Sequence, residues 1–152
     1  MTIAGLSGPQ SVKCSRDVVI VPDKSLNDVN QQFDVIVLPG GLAGSNQLAS
    51  DPRVGKLLKD QENSDKIIAA ICAAPIALKS HGIGLQKRIT SHPSKAQELK
   101  NDFKYCEDRV VIDGQLITSR GPGTAFEFGL AIVEKLMGKQ KVDEISPPMI
   151  LK

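Results

Sequence analysis

Three features of the sequence predict an α/β sandwich, with a mostly parallel sheet flanked by helices and a β-hairpin. Short apolar, β-branched runs alternate with stretches of helical periodicity. Two runs, Val35-Ile36-Val37-Leu38 and Ile67-Ile68-Ala69-Ala70-Ile71, lack polar alternation, as strands covered on both faces require. Val110-Val111-Ile112 and Leu116-Ile117-Thr118 flank Asp113-Gly114, a dipeptide that favours the backbone of a tight hairpin turn.

Taken in order, Val18-Val19-Ile20-Val21 reads as a first strand ending at Pro22, and Val35–Leu38 as a second ending at Pro39-Gly40-Gly41. Gly44 to Asn63 has helical character, with Leu48, Val54, Leu57 and Leu58 apolar and a break at Pro52. Ile67–Ile71 runs directly into Cys72, and a helix should follow as far as His81-Gly82. Ile89-Thr90 is a short strand. Ser94 to Lys100 reads as a helix with Ser94 as its N-cap. The last helix is expected from Ala125 to Met137, with Phe126, Leu130, Val133 and Leu136 or Met137 as its apolar stripe and Gly138 as its stop. Ser146-Pro147-Pro148 should be extended.

The chain has 152 residues, of which 41% are hydrophobic and 24% charged, so it can bury a core and is expected to form one domain over 1–152. Its net charge is +2 with the signs intermixed, and no basic block suggests nucleic acid. No apolar run approaches the roughly 20 residues needed to span a bilayer. The N-terminus lacks the pattern of a signal peptide, which makes a cytoplasmic setting the expectation. The three cysteines, Cys14, Cys72 and Cys106, are odd in number and contain no CxxC pair. A zinc site or disulfide framework is therefore not expected.

In open parallel sheets, sites form at the carboxyl ends of strands. Cys72 stands at such an end, within Ala69-Ala70-Ile71-Cys72-Ala73-Ala74-Pro75. A nucleophile on a sharp strand-to-helix turn needs small residues two positions either side, and Ala70 and Ala74 occupy those places. Pro75 suits the first helical turn. Amide N–H groups and the positive end of the helix dipole favour the thiolate, the nucleophilic form. The competing reading is a buried structural cysteine, since small residues also suit close helix–sheet packing.

Gly40-Gly41 either makes a turn or lets backbone N–H groups approach an oxyanion. The GxxxxGK[ST] pattern of a phosphate-binding loop is absent. His92 closes the Ile89-Thr90-Ser91 strand end and can serve Cys72 as acid, base or hydrogen-bond partner, or be an ordinary loop histidine. His81 reads as a helix C-terminal residue. Arg120, in Ser119-Arg120-Gly121-Pro122-Gly123, either faces an anionic substrate or makes a local structural contact. Cys14 and Cys106 read as incidental or oxidation-prone.

Together these segments resemble the PfpI/ThiJ superfamily, and within it the branch of Parkinson-disease-associated deglycases. The resemblance rests on Val35–Gly41, Ala69–Ala73, Thr90-Ser91-His92-Pro93 and Thr118-Ser119-Arg120-Gly121-Pro122-Gly123-Thr124. It extends to Cys14–Val19, Phe126-Glu127-Phe128 and Ile150-Leu151-Lys152, and so over essentially the whole chain. It implies a flavodoxin-like sandwich, usually a homodimer, with no required organic cofactor and no metal. The implied activities are glyoxalase, converting methylglyoxal to lactate, and deglycase, acting on early glycation adducts. Its partners are thus small reactive aldehydes or glycated amines. An oxidative-stress sensor or redox-dependent chaperone is the alternative, and nuclear and mitochondrial locations accompany the cytoplasmic one.

By the same resemblance Cys72 is the nucleophile and oxidation-prone thiol. Gly41 and Ala73 supply oxyanion-binding N–H groups, and His92 is the neighbouring histidine. A further cysteine common in close relatives is Val21 here. The family pattern also begins with a strand and helix ahead of Thr2–Leu6, carrying a glutamate that hydrogen-bonds the cysteine. Glu62, Glu98, Glu107 and Glu127 all match other parts of the pattern. The expectation is a truncated or alternative-start chain, with sheet strands deprived of a neighbour.

Overall fold

The apolar runs after residue 34 assemble into one sheet in the computed structural model, which describes residues 1–151. Lys152, the end of the last matching motif, lies outside the described residues. The chain divides into two units, residues 1–33 and Asp34 onward.

The first unit holds four two-residue strands: β1 (Ala4–Gly5), β2 (Val12–Lys13), β3 (Val19–Ile20) and β4 (Lys24–Ser25). β1 pairs parallel with β4, and β2 antiparallel with β3. The expected strand Val18–Val21 thus shrinks to two residues, and all four of its side chains are exposed. A 3-10 turn at Ser15–Asp17 precedes it and Pro22 follows it, which leaves no room for a longer ladder.

The second unit runs β5 (Val35–Leu38), α1 (Leu42–Ser50), α2 (Pro52–Asn63), β6 (Ile67–Ile71), α3 (Pro75–Ser80), β7 (Arg88–Ile89), α4 (Ala96–Leu99), β8 (Lys104–Tyr105), β9 (Val110–Asp113), β10 (Leu116–Ser119), α5 (Ala125–Met137) and α6 (Lys139–Ile145). The sheet order is β5-β6-β10-β9, parallel except for the β9/β10 hairpin. This is the predicted α/β architecture, a mixed sheet flanked by helices. Gly114 takes φ 62 at the hairpin turn, the left-handed backbone that glycine adopts at no steric cost. β7 and β8 pair parallel as a separate short ladder.

The expected break at Pro52 separates α1 from α2. Asp51 caps α2, its carboxylate accepting from the Arg53 N–H at 2.9 Å, with Pro52 in the first turn. One sheet face carries Ile67, Ala69 and Ile117, packed against Phe128 of α5, with Val35, Ala131 and Ile132 at the margin. Ile68 and Ala70 alternate to the other face and are buried as well. Burial on both faces explains why the Ile67–Ile71 run lacks polar alternation, whereas Val35–Leu38 lies at the sheet edge and leaves Val37 exposed.

Three expectations need correction. The apolar stripe of α5 is Phe128, Ala131 and Ile132, and Phe126 is 63% exposed. Both sets have helical spacing, so periodicity alone could not choose between them. Ser94 is not an N-cap: a 3-10 turn over Pro93–Lys95 precedes α4, and His92 caps it. The tail is not extended, because α6 follows the Gly138 stop and Pro147–Met149 forms a 3-10 turn.

Candidate functional site

The carboxyl ends of β5, β6 and β10 lie side by side, since Leu38 pairs with Ala70 and Ser119 with Ile71. The sequence therefore delivers Gly40-Gly41, Cys72 and Arg120 to one rim of the sheet. β7 brings His92 to the same place: the His92 N–H donates to the Cys72 carbonyl at 2.8 Å. The Cys72 N–H in turn donates to the Ser119 carbonyl at 3.0 Å. Cys72 is thus pinned through its backbone from two sides.

Its conformation is unusual. Cys72 has φ 66, in the left-handed region, which costs a non-glycine residue about 1 kcal/mol or more. The turn closes with the Ala74 N–H donating to the Ile71 carbonyl at 3.1 Å, and α3 starts at Pro75. The sharp strand-to-helix turn read from the sequence is present, and the structure adds its backbone strain. The thiol is free and partly exposed, and its Sγ has no hydrogen-bond partner among the described residues.

Gly40 allows the close approach. A Cβ built there would lie 2.5 Å from Cys72 Cβ, 3.1 Å from the Ile71 carbonyl oxygen and 3.3 Å from Cys72 Sγ. The residues alone point to Gly40-Gly41 as a pair and the resemblance singles out Gly41, while this steric role belongs to Gly40. The Gly-Gly pair was the available signal. Gly41 has φ 91 and begins α1, its carbonyl accepting from the Ser45 N–H at 2.9 Å. Among the described residues the N–H groups of Gly41 and Ala73 donate to nothing. Two amides in the loops that hold Gly40 and Cys72 are therefore unengaged.

His92 is exposed, and its ring is held by Ser94. Nδ1 accepts from the Ser94 N–H at 3.3 Å and lies 2.8 Å from Ser94 Oγ. A Cβ at Gly121 would stand 3.8 Å from His92 Cδ2, which places the imidazole edge beside the Ser119–Gly121 turn. Thr124 organises that turn, its Oγ1 accepting from the Arg120 and Gly121 N–H groups. The Arg120 guanidinium donates to the Glu107 carbonyl at 2.8 Å, tethering the 106–109 loop. Of the two readings of Arg120, this contact is the structural one.

The other singled-out residues lie elsewhere. His81 closes α3, and its Nε2 is 2.8 Å from the Leu48 carbonyl of α1. Cys14 is exposed in the N-terminal unit, as is Val21. Cys106 is partly exposed beside Arg88, and hydrogen bonding to its sulfur, with the charge that only the thiolate form carries, raises the guanidinium above its ordinary value. Among the described residues no cluster of three or more His, Cys, Asp or Glu is placed to hold a metal ion. None of their helices is long and apolar enough to cross a membrane.

A flavodoxin-like α/β sandwich with a cysteine on a strained turn between β6 and α3 defines the class of protein. The chain belongs to the DJ-1/PfpI family, whose pattern matches residues 1–135. It is 52% identical over 153 residues to the protein dj-1beta of Drosophila melanogaster, covering 99% of this chain and 82% of that protein. The crystal structure of that fly protein superposes with a TM-score of 0.96, covering 99% of this chain and 82% of that one. The Parkinson disease protein 7 homolog of Danio rerio is 49% identical over 156 residues, covering 100% of this chain and 82% of that protein. A Caenorhabditis elegans relative named glutathione-independent glyoxalase DJR-1.2 is 46% identical, covering 95% of this chain and 78% of that protein.

Proposed function

We propose that this chain is a cysteine-dependent glyoxalase and deglycase that protects against reactive aldehydes and oxidative stress. One observation carries the reading: an unpartnered thiol on a strained turn, with two unengaged amide donors in the adjacent loops. The name of the nematode relative agrees with it.

The Cys72 thiolate adds to the aldehyde carbon of methylglyoxal, forming a C–S bond. The carbonyl pair becomes an alkoxide that accepts hydrogen bonds from Gly41 and Ala73. His92 relays the proton from the former aldehyde carbon to the neighbouring carbon, turning the adduct into a lactoyl thioester. Water cleaves the thioester, releasing lactate and restoring the thiol, so the net reaction adds one water to methylglyoxal. In the deglycase version the thiol attacks the adduct carbon that carries the hydroxyl and the amine; the C–S bond forms as the C–N bond breaks, the amine leaves with the thiol's proton, and the same hemithioacetal results. The test is methylglyoxal loss and lactate formation followed by NMR. Cys72→Ala should abolish both, and wild-type turnover in that variant would overturn the assignment.

A second reading rests on the same thiol. A partly exposed thiol with unengaged amide donors in the adjacent loops is open to oxidation to sulfenic and then sulfinic acid, an anion those donors can stabilise. Peptide mass spectrometry after mild peroxide should find two added oxygens on Cys72 before Cys14 or Cys106. Oxidation of the exposed Cys14 first would count against a sensor role. Three free thiols suit a reducing compartment, so we place the protein in the cytosol. Its assembly as a homodimer is tested by native mass spectrometry.

A further inference from the structure

β9 forms one edge of the four-stranded sheet, and among the described residues no strand pairs with its outer side. Edge strands are commonly blunted by lysine, proline or a bulge. β9 carries Val110, Val111 and Ile112 instead, and Ile112 is 44% exposed. Beside this edge an open groove of about 650 Å³ runs along α5. Its apolar lining comes from Val110, Ile112, Leu130 and Ala131.

The charge around the groove is one-sided. Glu107, Asp108, Glu127 and Glu134 line it against a single cation, Arg109. That guanidinium is already engaged, donating to both Glu127 carboxylate oxygens at 2.8 and 2.9 Å and to the Gly123 carbonyl at 2.6 Å. Asp108 has only a long contact of 3.7 Å to Arg88. Glu107 and Glu134 have no ion-pair partner among the described residues. Acids on the other helices are treated differently. Lys56–Asp60 and Lys59–Glu62 pair along α2, as do Lys139–Asp143 and Lys141–Glu144 along α6. A local acidic surplus also runs against the net charge of +2 of the whole chain.

We propose that this edge and groove dock an extended segment of a partner protein in which apolar residues alternate with Lys or Arg. The segment adds to β9 as a fifth strand through main-chain hydrogen bonds. Its apolar side chains cover Ile112 and Leu130, and its cations meet Glu107 and Glu134. A second copy of β9 is a poor occupant, because pairing two such edges brings the acidic rims together.

The test uses the whole chain and a fluorescent peptide of alternating lysine and valine, with three controls: a glutamate-for-lysine peptide, an N-methylated peptide, and the chain at rising concentration. Expected are saturable binding that weakens with salt, NMR shift changes confined to 107–113 and 127–134, and no binding of either control peptide. Glu134→Lys and Glu107→Lys, both at exposed positions, should each raise Kd by about tenfold, equivalent to ~1.4 kcal/mol. Equal binding of the acidic peptide, shifts mapping to another surface, or an unchanged Kd in both variants would overturn the proposal. Self-association through the same residues in place of peptide binding would overturn it as well.

Discussion

Ser94 grips the ring of His92 at one nitrogen, with its backbone N–H 3.3 Å and its hydroxyl oxygen 2.8 Å from Nδ1. A nitrogen that accepts from a backbone N–H carries no proton of its own, so the neutral ring holds its hydrogen on Nε2. Ser94→Ala removes the hydroxyl contact at 2.8 Å and leaves the longer N–H contact at 3.3 Å to hold the tautomer alone. The expected result is a larger share of the Nδ1–H tautomer, read from ring 15N shifts. Methylglyoxal turnover should fall about fivefold, the equivalent of one hydrogen bond of ~1 kcal/mol. A purely structural serine would leave the tautomer unchanged.

Gly40→Ala should be damaging out of proportion to its size. The added carbon would meet Cys72 Cβ at 2.5 Å and the Ile71 carbonyl at 3.1 Å, and backbone cannot yield as a flexible side chain does. Displacing the turn should cost about 1–3 kcal/mol and slow alkylation of Cys72 by iodoacetamide. Gly44→Ala, where an added Cβ meets nothing, is the control and should leave both readouts unchanged.

At position 72 the ordinary ranking of alanine above glycine should reverse. Both substitutions delete the thiol, but only glycine relaxes in the left-handed region at φ 66. Cys72→Gly should therefore be more stable than Cys72→Ala by about 1 kcal/mol in urea melts.

Glu62 provides a pH test. Partial burial alone would raise its pKa. Hydrogen bonds from Lys59 Nζ and the Gly84 N–H, with the charges of Lys59 and Lys87, outweigh that and hold it below the ordinary glutamate value. A carboxylate lowered on folding stabilises the protein fully above its unfolded pKa, and that gain is lost as pH falls through the folded value. Glu62→Gln should thus cost about 1–2 kcal/mol at neutral pH and nothing in strong acid. Stability measured from neutral pH down to below 4 should show a shallower acid limb in the variant.

The two phenylalanines of α5 separate core from surface. Phe128 packs on Ile67, Ala69 and Ile117, so Phe128→Ala should cost about 3–5 kcal/mol. Phe126 is 63% exposed, and Phe126→Ala should change stability by less than about 0.5 kcal/mol.

Much of this architecture was legible because its signals are local. The two non-alternating runs, the Asp113-Gly114 turn and the Gly138 stop each announce themselves within a few residues, and each is found as read. So is the Cys72 turn, since Ala70, Ala74 and Pro75 are a local requirement of that geometry. What escaped was set by tertiary contact. Phe126 and Phe128 are equally compatible with an amphipathic helix, and only the sheet decides which is buried. Gly40 matters because β5 and β6 are neighbours, a fact no single segment carries. Ser94 looked like a helix cap, but His92 took that place and used the serine's own N–H.

The opposite margin of the sheet has a practical meaning. β5 is four apolar residues without a charge, its outer side pairs with no strand among the described residues, and Val37 is 48% exposed. An apolar, uncharged edge of this kind is a template for pairing between copies of the chain at high concentration. Colloidal behaviour, rather than melting temperature, should therefore set how long this protein survives in storage. A lysine at position 37 should lengthen that life without touching the thiol.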